Sequence, residues 1–257
     1  MSRPRILVSN DDGIYGEGLK PLLAALRPLG EVVAIVPDNE RSAASHSITL
    51  HKPFRVQTVP VELDSKNIAR VHITNGTPAD CVKFGIHQFF KNKKVDLVVG
   101  GINNGPNLGD DAIYSGTVAV ARESAMLGIP AFAMSVIHPE KSAYIRAAAI
   151  AYRVAKLILK KGLPPRVFLN VNVPSMNGHR FKLVASRLGR RIYGKEIPSG
   201  VDPRGNPYYW LAGVMPTGIP EGGTDIAVVK AKNVSVTPLT VDSTCSSFLP
   251  ELARWKF

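Results

Sequence analysis

The stretch ILVSNDDGIYGEGL, residues 6–19, runs from apolar side chains straight into a pair of carboxylates. Ile6, Leu7 and Val8 read as a buried strand, and Ser9, Asn10, Asp11, Asp12 and Gly13 follow without a spacer. Neighbouring side chains of a strand point to opposite faces, so Asp11 and Asp12 converge only if the backbone turns there. Gly13 supplies that turn, since glycine tolerates unusual φ/ψ angles. Converging carboxylates repel unless positive charge sits between them, and a hard divalent cation suits that place. Taken alone, Asp-Gly after a strand is also ordinary turn chemistry.

The pattern continues along the chain. Short β-branched runs, RILVS, EVVAIV, VDLVVG and IPAFAMS, alternate with helix-like segments. The helical readings are GLKPLLAALRPL, TPADCVKFGIHQFF, SGTVAVARESAML and KSAYIRAAAIAYRVAKLILKK. Strands separated by helices of this length predict βαβ units, hence an α/β fold with a mostly parallel sheet flanked by helices. SITLHKPFRVQTV and IARVHIT interrupt the alternation as extra strands or a hairpin. After RVFLNVNVP the character changes. Residues from about 175 to 225 form a β-rich excursion, read as an oligomerisation arm. TDIAVVKAK reads as a short helix and NVSVTPL as a strand, and the tail from Thr240 has no clear period.

With 257 residues, 45% of them hydrophobic, the chain can build one large α/β domain over residues 1–257. No apolar run is long enough to span a bilayer, and MSRPRILVSNDDG lacks a signal-peptide pattern, so no membrane partner and a cytoplasmic location are expected. Cys81 and Cys245 lack metal-ligand spacing, which argues against a disulfide framework or structural zinc. Cys81 is expected inside a helix as a small buried hydrophobe. The net charge of +12 favours anionic partners, but it is diffuse. Its densest stretch, Arg187 to Arg204, reads as loop or hairpin, so nucleic acid is not the expected partner.

In open parallel sheets, ligands bind beyond the carboxyl ends of the strands. Three loops should meet there: SNDDG, PDNERSAASHS and GGINNGPNLGDDAIYSGT. They offer Asp11, Asp12, Ser42 and Asn103, oxygen donors of the kind Mg²⁺, Mn²⁺ or Ca²⁺ accepts. The third loop is long and rich in Gly and Asn, as functional loops in compact domains are. Ser115, Gly116 and Thr117 stand where a helix begins, a place for a phosphate or for simple N-capping. Asn10, Gly105 and Asn107 join them as the expected substrate-side or phosphate-side groups. NGTPADCV reads as a structural helix opening, with Thr77 as cap and Pro78 in the first turn. His46 is the one histidine near this edge, either a donor to phosphate and leaving group or a solvated loop residue. Walker A, GxGxxG and GxSxG patterns do not occur.

The segments ILVSNDDGI, VPDNERSAASHSITL, NGTPADCV, DLVVGGINNGPNLGDDAIYSGTVAVARE and GIPAFAMS resemble, in that order, the SurE family of stationary-phase survival proteins. LNVNVP, DPRGNPYYW and GTDIAVVKAKNVSVTPL are similar too, so the resemblance covers nearly the whole chain. It implies a metal-dependent phosphatase acting on nucleoside monophosphates, a 5′/3′-nucleotidase that in some members also attacks short polyphosphate. It implies a Rossmann-like core, a β-hairpin excursion and an exchanged C-terminal arm over about 226–257, which together build dimers or tetramers. It implies one divalent cation per subunit on Asp11, Asp12, Ser42 and Asn103, with Asp11, Asp12 and Asn103 as the catalytic set. Gly100 and Ala43 stand where the family more often has serine and glycine. The competing expectations are a non-catalytic binder of nucleotide or nucleic acid, and a transferase using a metal-bound diphosphate donor.

Overall fold

The computed structural model describes residues 3–91, 93–175, 180–211 and 216–256. Its first part runs β1 (Arg5–Ser9), α1 (Leu19–Leu26), β2 (Glu31–Pro37), β3 (Val56–Glu62), β4 (Ile68–Thr74) and α2 (Pro78–Phe84). It continues with β5 (Leu97–Asn104), α3 (Gly116–Met126), β6 (Ala131–Val136), α4 (Lys141–Lys161) and β7 (Val167–Val173). The later elements are β8 (Leu183–Ala185), β9 (Arg191–Ile192), β10 (Ser199–Val201), β11 (Pro207–Tyr209) and β12 (Thr217–Gly218), then α5 (Asp225–Lys230), β13 (Val234–Thr240) and α6 (Leu249–Leu252).

Nine strands form the main sheet in the order β3-β4-β2-β1-β5-β6-β7-β13-β8. The central run from β4 to β7 is parallel, and β3 and β13 pair antiparallel at its two sides. This is the mostly parallel α/β sheet the alternation predicts. Side-chain alternation along β1 builds both faces. Ile6 and Val8 pack with the leucines of α1 and the inner face of α4, while Leu7 packs with Cys81, Val82 and Val118 of α2 and α3. Each of the buried leucines of α1, Leu19, Leu22, Leu23 and Leu26, contributes roughly 1.5–3 kcal/mol by leaving water.

Where the structure departs from the sequence reading, local chemistry explains it. SITLHKPFRVQTV becomes strand only from Val56. Before that, Pro53 lacks an N–H for a ladder, and the Asn75 side chain holds the segment by accepting from Arg55 N–H and donating to Pro53 C=O. The helix starting at Thr77 widens into a π-helical stretch over Gly85–Phe90. Thr77 and Asp80 form the expected capping box, and Asp80 also accepts the N–H of Thr49 at 2.9 Å. Residues 226–240, assigned from sequence to a C-terminal arm, lie in the main body instead. There β13 pairs with β7 from Ser235↔Asn172 to Thr240↔Val167. FKLVASRL shrinks to a three-residue strand beside β13, and PYYWLAG to a strand over Pro207–Tyr209, its last two residues lying outside the described ones. No helix of the described residues is long and apolar enough to cross a membrane.

Candidate active site at the carboxyl edge of the sheet

The parallel strands reverse their direction of travel beside β1: β2 lies on one side and β5 on the other. Loops leaving β1 and β5 therefore part and leave a crevice, the place where open α/β sheets take ligands. Asp11 and Asp12 follow β1, and Asn103 lies in the last turn of β5. Gly13 turns the first loop with φ +74°, and a Cβ there would stand 3.0 Å from the backbone of Pro37 and Asn39, so a side chain would be strained.

Asp11 is buried against the start of α3. Its Oδ2 accepts the N–H of Thr117 at 3.0 Å, and its Oδ1 accepts the Thr117 hydroxyl. Gly116 makes this approach possible, since a Cβ there would sit 2.8 Å from Asp11 Cβ. The helix N-terminus that the sequence offered to a phosphate is thus occupied by the protein's own carboxylate, as its free N–H groups and dipole favour. Thr117 Oγ1 also lies 3.4 Å from Asn103 Oδ1, joining the ends of β1 and β5. Asp12 is only half buried, and its Oδ2 accepts the N–H of Asn104 at 3.1 Å.

The electrostatics of the pair are unbalanced. Burial raises the Asp11 carboxyl above its ordinary value despite the Thr117 hydrogen bonds. Burial, then the charge of Asp11, then that of Glu40 push Asp12 up to about 7. Among the described residues no cationic side chain offsets either carboxylate. Nor does any group of three His, Cys, Asp or Glu side chains among the described residues stand close enough to hold a metal ion by itself. The donors here are instead two carboxylates with an amide and a hydroxyl nearby, hard oxygens with excess negative charge. That chemistry fits a hard divalent cation.

The second loop is fastened to this edge. Arg41 N–H donates to Asp11 C=O at 2.7 Å, and the Ser42 hydroxyl donates to Glu40, the residue whose charge reaches Asp12. His46 turns its ring to Glu123 on α3, with Nε2 at 2.7 Å from Oε2, and Lys83 holds the other oxygen at 2.9 Å. His46 is therefore engaged by Glu123 rather than by Asp11 or Asp12.

Three of the expected phosphate-side residues have structural work. Asn10 closes the first loop through two hydrogen bonds with Gly13. Asn107 is buried, donating from Nδ2 to Ser135 and accepting at its carbonyl from Asn170 and Asn172. Ser115 caps α3 by accepting from Val118 N–H. At Gly105 the backbone N–H bonds Val136 C=O, and the space where a side chain would stand is open. The residues that clamp the third loop escape motif reading. Asp225, fully buried, accepts the N–H groups of Gly109 and Gly189 at 2.8 Å each, and Arg191 pairs with Asp111 at 2.6 Å. The one legible signal was Asn170 and Asn172, amides inside an otherwise apolar strand.

A family model described as Survival protein SurE matches residues 6–195. A protein of Geobacter sulfurreducens named 5′-nucleotidase SurE is 44% identical over 252 residues, spanning 97% of this chain and 93% of its own length. One of the same name from Myxococcus xanthus is 43% identical over 258 residues, spanning 98% and 93%. The crystal structure of a Sure protein from Aquifex aeolicus shares the fold with a TM-score of 0.81 at 36% identity, covering 97% of this chain and 98% of that one.

Proposed function

The chain belongs to the SurE family, and from that premise we propose that it is a phosphomonoesterase hydrolysing nucleoside monophosphates to nucleoside and phosphate. The observation that carries this reading is the Asp11–Asp12 pair, held at the β1/β5 crevice with Asn103 and, among the described residues, without a countercharge. Asp11, Asp12, Asn103 and Ser42 would hold one divalent cation, Mg²⁺ or Mn²⁺. When bound, such an ion supplies Lewis acidity, drawing charge from phosphoryl oxygens and favouring ionisation of an attacking water.

The two carboxylates divide the remaining work by their surroundings. Asp11 has both oxygens engaged by Thr117, so it is a fixed element of the site. Asp12 is half exposed, and among the described residues its Oδ1 has no hydrogen bond. Asp12 is thus the better placed of the two to take the proton of the attacking water. Phosphoryl transfer needs positioning and electrostatic stabilisation more than covalent help. The α3 N-terminus provides the positioning by orienting Asp11, and the clamped third loop does so by fixing Asn103, whose Nδ2 donates to Gly105 C=O at 2.9 Å.

The excursion and the tail support a dimer or tetramer. Tyr209, Trp210 and Leu211 in the one, and Phe248, Leu249 and Trp255 in the other, expose large apolar side chains. An exchanged arm would comprise only the residues after Thr240.

The deciding experiment is phosphate release from AMP with Mg²⁺, Mn²⁺ or EDTA, for wild type and Asp11→Asn. The expected result is metal-dependent release that falls roughly a hundredfold or more in the variant, with the circular dichroism spectrum unchanged. Folded wild type that releases no phosphate with any metal would overturn the reading and assign the site to nucleotide binding.

A further inference from the structure

A groove of about 900 Å³ runs between α1 and α4, and Gly16 in its lining packs so close to Asp12 that a Cβ there would stand 2.7 Å from the Asp12 Cβ. Its walls are Ile14 and Tyr15, which follow Gly13 directly, with Ile145 and Ala148 from α4. Tyr144 lines it and is only 2% exposed. Among the described residues the Tyr144 hydroxyl has no hydrogen-bond partner. Burial, then the charges of Asp12 and Glu17, push that hydroxyl up to about 12, so it stays a donor and stands within electrostatic reach of the site. Glu17 and Lys20 add polar groups along the same groove.

We propose that this groove is the subsite for the nucleoside half of the substrate, with Tyr144 donating a hydrogen bond to it and Tyr15 facing its base. The inference rests on the nucleotidase reading for the identity of the ligand. Three features select a nucleoside. The volume lies in the range of small-molecule sites. The walls are largely apolar and carry two aromatic rings, of which Tyr15, 85% exposed, is free to stack on a flat base. The unpartnered hydroxyl of Tyr144 belongs to the same lining as Gly16, which packs against Asp12. A donor held in place by a buried ring favours ligands that accept from it over ligands that do not.

Two variants test it. Tyr144→Phe removes only the donor, and Ala149→Trp fills the groove from an exposed position on α4. Each is compared with wild type in kcat and KM on AMP and on ethyl phosphate, which has no nucleoside. In parallel, adenosine, which has no phosphate, is titrated into each protein and followed by NMR. The expected result is a loss of kcat/KM on AMP roughly tenfold larger than on ethyl phosphate, mainly through KM, and loss of adenosine binding in Ala149→Trp. Equal losses on both esters, or adenosine shifts unchanged in Ala149→Trp, would overturn the proposal. Wild type inactive on both esters would sink the nucleotidase reading instead, and the adenosine titration would still judge the groove.

Discussion

Two regions of this molecule treat their side chains in opposite ways. At the carboxyl edge around Asp11, many polar groups are buried and paired within the protomer, among them the carboxylate of Asp11, the hydroxyl of Thr117 and the carbonyl of Asn107, while Asp12 stays half exposed. In the excursion after β7, short two-stranded ladders carry exposed Tyr208, Tyr209, Trp210 and Leu211, the last 88% exposed. The first region spends its hydrogen bonds largely within one chain, whereas the second presents apolar surface that a single chain leaves in water. The lesson is that the precision of the site comes from internal hydrogen bonds, while the excursion is available for contacts between chains. The two regions still meet, because Arg191 and Asp225 clamp the third loop from the excursion side.

The contrast breaks most sharply at Gly116. Gly116→Ala should push a methyl into Asp11, 2.8 Å from its Cβ and 2.9 Å from Oδ2. We expect about 1–3 kcal/mol of destabilisation in urea unfolding and at least a roughly tenfold loss of phosphate release. Stability and turnover equal to wild type would mean that the α3–Asp11 contact does not set the site.

Glu123→Gln comes next, with about 1–3 kcal/mol lost, since it weakens a buried acceptor for His46 and Lys83. The hydrogen bond from His46 holds the Glu123 carboxyl below its ordinary value of 4.5. A lowered carboxyl contributes stability that is full above its unfolded value and is lost as pH falls through its folded value. Wild type should therefore lose more Tm than Glu123→Gln on acidification below about pH 5, and parallel Tm curves would contradict the pairing.

Ala43→Gly is the mild case. Ala43 sits at φ +55° beside Ser42, a conformation glycine adopts without strain. A gain of about 0.5–1 kcal/mol is expected from chemical denaturation, and a loss would show that the strain is absent in solution. The smallest effect on the protomer belongs to Trp210→Asp with Leu211→Asp. Their unfolding free energy, compared at matched oligomeric state, should stay within about 0.5 kcal/mol, while light scattering reports a smaller assembly. An unchanged mass would exclude the excursion as a contact between chains.

Much of the architecture was legible in the chain itself. The α4 boundaries match KSAYIRAAAIAYRVAKLILKK at both ends, because a 3.6-residue period over 21 residues has no competing reading. Runs with a proline or few residues were read too long, as at SITLHKPFRVQTV, since pairing partners rather than propensity decide such strands. At the candidate site, the placement of Asp11, Asp12, Asn103, Gly116 and Thr117 along one edge was legible because strand ends and helix starts announce it locally. Glu123, Asp225 and Tyr144 were not, since each acts across more than thirty residues of sequence or through a helix face.

The sequence by itself determined the alternation of strands and helices, the carboxylate pair and the loops that bear it. Those follow from short-range rules: side-chain period, glycine turns and helix caps. Only the tertiary structure decided which anion the α3 N-terminus would take. Spacing alone left it open to a phosphate, but packing brings Asp11 there first. A buried carboxylate needs donors wherever the fold places it, and which donors are within reach is a property of three-dimensional neighbours.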